Sequence, residues 1–168
     1  MMNEHFDSAI EAGIRGAQQL RKNGIPPIDQ NQRMQEALAL LARSEIAMVG
    51  STDDNGYPHI KAMFKITAEG LKTVWFSTNT SSRRVSQFMQ NPKASLYFLD
   101  AERFTGLLLV GEMEVLQDAE TKRWLWKEGL DAYYPLGVTD PDYSVLRFIA
   151  RWGNYYRGLR REMINSNE

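Results

Sequence analysis

The segment Thr78-Asn79-Thr80-Ser81-Ser82-Arg83-Arg84 breaks a local rule. It joins a predicted strand to a predicted helix, and Thr80 or Ser81 can cap that helix through a side-chain oxygen. Two arginines then occupy the first turn, at the positive end of the helix dipole, where carboxylates are favoured and cations repelled. An anion reconciles the conflict, because open N–H groups, clustered hydroxyls and two guanidinium groups together form a phosphate pocket. Without an anion, the two arginines are merely solvated. Lys61 bears on the same choice, since it stands mid-strand, where lysine is disfavoured. Strand alternation puts Lys61, Met63 and Lys65 on one face and Ile60, Ala62, Phe64 and Ile66 on the other, so Lys61 faces either that anion or solvent.

Conventional catalytic groupings are sparse. The two histidines, His5 and His59, are far apart and have no ligand spacing. Asp53-Asp54-Asn55-Gly56 reads as a hairpin turn, because the alternating acids and closing glutamate of a calcium loop are missing. Glu112 and Glu114, two apart on one strand, read as a solvated face. Trp124, Trp126, Tyr133, Tyr134, Trp152, Tyr155 and Tyr156 read as core or interface aromatics. There is no glycine-rich phosphate loop. The absence of cysteine excludes thiolate nucleophiles, disulfide frameworks and iron–sulfur or cysteine–zinc sites. A chain that can hold a phosphate but shows no side-chain catalyst implies that a cofactor carries the chemistry.

The elements that must position these residues follow from period and punctuation. Phe6, Ile10, Ile14, Ala17 and Leu20 mark a first helix, ended by Gly24 and Pro26-Pro27. A second helix fits Asn31 to Arg43, capped by Asp29 or Asn31. Strands are predicted over Ile46–Ser51, Tyr57–Ile66, Thr73–Thr78, Ala94–Leu99, Gly106–Leu116 and Val145–Trp152. Helices are predicted over Ser81–Gln90 and Ala119–Leu130, with a Tyr-, Pro-, Gly- and Asp-rich loop before Tyr143. Short turns between successive strands argue antiparallel pairing and a small barrel or sandwich. Leu107 to Val110 is apolar on both strand faces, so either a packed helix or a partner subunit must cover the outer one.

The 168 residues suit one domain, 43 % are hydrophobic, and the net charge is −1. Twenty basic residues against 21 acidic ones disfavour binding nucleic acid by bulk charge. No apolar run approaches the ~18 residues that cross a bilayer. Met1 to Asp7 lacks a basic start and an apolar stretch, so the expectation is a cytoplasmic protein without membrane or nucleic-acid partners.

The runs Pro58-His59-Ile60-Lys61-Ala62-Met63-Phe64, Val74-Trp75-Phe76-Ser77-Thr78-Asn79, Ser82-Arg83-Arg84 and Asn91-Pro92-Lys93-Ala94-Ser95-Leu96-Tyr97-Phe98 resemble, in order and spacing, the pyridoxamine 5'-phosphate oxidase-like family. The resemblance spans about Met34 to Tyr156, and the ending Phe148 to Tyr156 looks like the general-stress-protein-like branch. It implies a mainly β fold with flanking helices: a six-stranded antiparallel split β-barrel of FMN-binding type over 29–168, with 1–28 as a helical appendage. It implies FMN as cofactor, with Lys61, Ser82, Arg83 and Arg84 on its phosphate and Ala62, Met63, Phe64, Ser77 and Thr78 along the ring. Thr105, and Trp152 reaching from a partner chain, are further candidates. It also implies a homodimer with the flavin at the subunit interface, and an oxidoreductase moving hydride or electrons between a reduced donor and a small-molecule substrate. Alternatives are a non-catalytic flavin-binding protein, or a barrel that takes deazaflavin or haem. The Arg-x-His motif of the vitamin-oxidising members is missing, and Arg151-Trp152-Gly153-Asn154-Tyr155-Tyr156 stands there instead. The glutamine typical of the long strand is absent around Thr105-Gly106. Both departures point away from vitamin oxidation. Trp152, Tyr155 and Tyr156 would favour a flat, less charged acceptor by stacking.

Overall fold

The structure, a computed structural model, describes residues 11, 14–15, 17–19, 21–24, 26–158 and 160–164. The helix expected over Phe6–Leu20, and the appendage 1–28, lie largely outside the described residues; those described between 11 and 23 are helical. Helix α1 (Gln30–Arg43) starts at Asp29, whose carboxylate accepts the Gln32 N–H at 2.8 Å. Strands β1 (Ile46–Thr52), β2 (Pro58–Glu69) and β3 (Thr73–Asn79) lead into helix α2 (Arg83–Gln90). Strands β4 (Lys93–Asp100) and β5 (Thr105–Leu116), helix α3 (Ala119–Leu125) and strands β6 (Tyr143–Arg157) and β7 (Arg160–Ile164) complete the chain.

The strand order is β3-β2-β1-β4-β5-β6-β7, all antiparallel, and β3 also pairs with the first half of β6. That second pairing closes a six-stranded barrel and leaves no free edge between β3 and β6. The seventh strand takes over along the second half of β6, from Gly153 to Arg157.

Alternation decides which residues fill the barrel. Ala47, Val49, Met63, Leu96, Phe98, Leu107, Leu109, Met113 and Phe148 point inward and are at most 6 % exposed. The apolar stripe Ala37, Leu40 and Leu41 of α1 packs onto this set. Lys65 fastens the helix end, its Nζ donating to the Leu41 and Ala42 carbonyls at the negative end of the helix dipole. Leu108 and Val110 face outward and stay half-buried. Glu112 and Glu114 pair across the sheet with Arg151 and Arg147.

Two elements depart from the expected ones. The helix predicted to reach Leu130 ends at Leu125, because Trp126 turns in against Tyr143 (ring centroids 5.3 Å apart) and a single 3-10 turn follows at Leu130–Ala132. The last strand runs from Tyr143 to Arg157, well past Trp152, and a seventh strand follows. A bulge between Val110 and Gly111 explains why the last strand reads as ending at Trp152: Arg151 and Trp152 are both exposed, so the period-two pattern breaks there. Only glycine fits at 111, where a Cβ would sit 2.0 Å from the Ile149 carbonyl oxygen. Strand β7 pairs with β6, Arg161 Nε donating to Asn154 Oδ1 and Ile164 entering the core, but its residues carry no alternating apolar pattern to announce it.

A second, smaller core of Trp75, Leu125, Tyr134, Tyr143 and Val145 anchors the segment between β5 and β6. Lys122 and Asp140 brace it: Lys122 Nζ donates to the Asp140 carbonyl at 2.9 Å, and the Asp140 carboxylate accepts the N–H groups of Leu136 and Asp142. Among the described residues no helix is long and apolar enough to cross a membrane.

Candidate functional site

The turn between β3 and α2 is tied to the start of β6. Asp142 accepts from Asn79 Nδ2 and from the Ser81 N–H, both at 2.7 Å, and the Thr80 and Ser144 hydroxyls lie 2.7 Å apart. The Asn79 amide, followed by Ser81, holds the Asp142 carboxyl below the usual range. The N-cap of α2 is Ser82, one residue beyond the two candidates, and its hydroxyl makes no cap hydrogen bond. The first N–H groups of α2 are therefore uncapped by a side chain.

Three cations gather at this helix start. Arg83 is exposed, while Arg84 is half-buried, with Nη1 3.3 Å from Thr78 Oγ1 and 3.5 Å from Met63 Sδ. Burial pushes the Arg84 guanidinium down from its ordinary value, with the Tyr134 phenol opposing. Lys61 approaches from β2. Among the described residues, no carboxylate lies within ion-pair distance of Lys61, Arg83 or Arg84. They share a cavity of about 180 Å³ with His59, Ser51 and Gln87, and no acidic side chain lines it. Nearby, His59 Nε2 lies 3.0 Å from Asp53 Oδ2, and this contact is the main reason the Asp53 carboxyl titrates below its ordinary value.

Arg84 also borders a larger cavity of about 410 Å³. Its floor is Ala62, Met63 and Phe64 from β2 and Ser77 and Thr78 from β3. Its rim is Lys127 to Leu130, Tyr133 and Tyr134, supplied by the segment that the small aromatic core anchors. Burial pushes the Tyr134 phenol up, against a hydrogen bond with Ser77 and the charge of Arg84. The arrangement offers an apolar slot beside a cationic pocket, which suits a flat ring system carrying a phosphate.

Lys61, Ala62, Met63, Phe64, Ser77, Thr78, Arg83 and Arg84 thus line two adjoining cavities, and Ser82 sits 3.4 Å from Thr78 between hydroxyl oxygens. Thr105 and Trp152 are not among them. Thr105 lines a separate cavity of about 470 Å³ with Glu36, Arg43 and Arg157, and Trp152 stands on the outer wall opposite Val110. Tyr155 points inward, 2 % exposed, and donates to Glu36, so it cannot stack on an acceptor; Tyr156 lies half-buried on the outer wall. Sequence reasoning missed Gln87 and the rim residues Lys127, Tyr133 and Tyr134. Gln87 was accessible, standing one helical turn after Arg83 on the same face of α2. The rim had no local signal, because it reaches the site through tertiary packing.

The pyridoxamine 5'-phosphate oxidase family model matches residues 34–157. No curated protein matches the chain. Among solved structures, a Clostridium acetobutylicum protein related to general stress protein 26 of Bacillus subtilis, of the pyridoxinephosphate oxidase family, is 48 % identical with a TM-score of 0.75. That match covers 82 % of this chain and 96 % of the other. General stress protein 26 from Bacillus anthracis, at 14 % identity and TM-score 0.62, covers 79 % and 97 % respectively. A heme binding protein from Mycobacterium smegmatis, at 16 % identity and TM-score 0.65, covers 85 % and 60 %. At these lower identities the likeness is one of fold.

Proposed function

The chain belongs to the pyridoxamine 5'-phosphate oxidase family, and from that premise we propose that it is an FMN-binding oxidoreductase that works as a homodimer in the cytoplasm. The observation that carries the reading is the set of three cations, Lys61, Arg83 and Arg84, without ion pairs among the described residues, at an uncapped helix start beside an apolar slot. Clustered cations repel one another and are stabilised by a bound dianion. Lys61, Arg83, Arg84 and Ser82 would hold the phosphate of FMN; Ala62, Met63, Phe64, Ser77 and Thr78 would line its ring. FMN, when bound, supplies hydride or electron transfer between a reduced donor and a small acceptor. The chain's own part is to anchor, orient and shield. Met63 and Tyr134, both buried, wall the slot from water, while exposed Tyr133 at its rim offers a stacking surface to a flat acceptor.

The dimer reading rests on the outer wall of the barrel. Ile46, Met48, Ile60, Phe64 and Leu99 lie on it, 44–75 % exposed, with Leu108 and Val110 continuing the patch. Gly50 and Gly106 keep it flat: a Cβ there would strike the Ser95 and Tyr97 hydroxyls, which lean over them. An exposed apolar patch of this kind suits a second copy. In that assembly Trp152, on this outer wall, would reach the partner's flavin, whereas Thr105, buried beside Glu36 and Arg157, would not.

The test is an absorbance spectrum and mass spectrum of the purified protein, followed by anaerobic NADH or NADPH. FMN with bleaching on reduction is the expected result. A haem or deazaflavin spectrum, or no uptake of added FMN, would refute the cofactor assignment; FMN that no donor reduces would refute the oxidoreductase.

A further inference from the structure

We infer that Gln87 is a specificity-determining donor that selects a terminal phosphate in the cationic pocket. The inference rests on the reading of this site as an FMN site. Gln87 is 4 % exposed, and its Oε1 accepts from the Ser51 hydroxyl at 2.7 Å. That bond holds the amide in place. Nε2 is buried without a hydrogen-bond partner. A buried N–H with no acceptor is costly to keep, and a ligand that supplies the acceptor is one reason for a native chain to retain it. The cavity that Gln87 lines names the kind of acceptor: it holds Lys61, Arg83 and Arg84 and no carboxylate. An anion drawn there by charge meets a neutral donor in a fixed place, and a phosphate oxygen fits that description.

The cations and the amide divide the work. Lys61 and Arg83 are exposed and attract any anion at long range. Gln87 is uncharged, buried and held by Ser51, so it rewards only an oxygen that comes within hydrogen-bond reach of its amide. It should therefore separate FMN from riboflavin by geometry as well as charge.

The experiment is a fluorescence titration of apo-protein with FMN and with riboflavin, using wild type, Gln87→Met and Gln87→Glu, with inorganic phosphate titrated by calorimetry in parallel. Gln87→Met keeps the volume and removes the donor; it should weaken FMN binding about 10- to 100-fold and leave riboflavin within about threefold. Gln87→Glu should weaken FMN further, since it faces the phosphate with a like charge. Gln87→Met also leaves the Ser51 hydroxyl without its acceptor, a loss that bears on both flavins alike and so cancels in their ratio. This variant carries the test alone if Gln87→Glu does not fold. Unchanged FMN affinity in Gln87→Met, or equal losses for both flavins, would overturn the inference. If wild type binds inorganic phosphate but no flavin, the FMN reading fails; a phosphate affinity that falls in Gln87→Met then still supports the role of Gln87, and one that does not overturns it.

Discussion

Replacing Arg83 and Arg84 together by alanine should weaken FMN binding far more than riboflavin binding. The two arginines contribute unequally. Arg84 is half-buried, steadied by Thr78 and Met63, with no carboxylate paired to it among the described residues. A charge-assisted hydrogen bond from such a group to phosphate is worth about 1.5–3 kcal/mol. Arg83 is exposed, and screened surface pairs contribute about 0.2–1 kcal/mol. Together the loss is about 2–4 kcal/mol, which is roughly 30- to 700-fold in affinity. Riboflavin lacks the phosphate and should lose less than about fivefold, the remainder reflecting the place of Arg84 on the edge of the ring cavity. The assay is flavin fluorescence quenching at low and high salt, with the gap between the two flavins widest at low salt. A second readout is stability. Three cations crowd one cavity with no carboxylate among its lining residues, so removing two of them relieves repulsion and the apo double variant should melt at or above the wild-type temperature. Equal losses for FMN and riboflavin, with a lowered apo melting temperature, would show the arginines to be structural and refute the phosphate pocket.

Wild type should sediment as a dimer at micromolar concentration, and Leu108→Asp on the flat outer wall should release a 19.3 kDa species; a wild-type monomer would refute the seam. Loaded with FMN, the protein should oxidise pyridoxamine 5'-phosphate slowly or not at all, which a hydrogen peroxide assay measures, because no histidine stands in Arg151 to Tyr156 to grip that substrate. The Asp142 carboxyl is depressed in the folded state by Asn79 and Ser81. Its stabilisation is thus present above the unfolded-state pKa of about 3.9 and is lost as pH falls through the lower folded value. Melting curves from pH 6 to pH 3 should show Asp142→Asn with a shallower acid decline than wild type.

Much of the barrel was legible because its strands obey local rules. Alternation in β1, β2 and β4 and the turn at Asp53 to Gly56 are written in residue order, and a strand with one buried face must alternate. The phosphate end was legible for a related reason: Arg83 and Arg84 contradict the dipole of their own helix, and a local conflict is visible without coordinates. The sequence also carried Lys61 onto the Met63 face by counting twos. Tertiary structure alone decided the rest. The bulge at Gly111, a contact with the Ile149 backbone, carries β6 past Trp152 and turns Tyr155 inward. Pairing of β3 with β6 closes the barrel and sets Asp142 beside Ser81, more than 60 residues away along the chain. The aromatic core under Tyr134 and Tyr143 swings Lys127 to Tyr133 over the ring cavity. Period and propensity reach only a few residues along the chain, whereas each of these arrangements is fixed by contacts between segments that meet only once the barrel has closed.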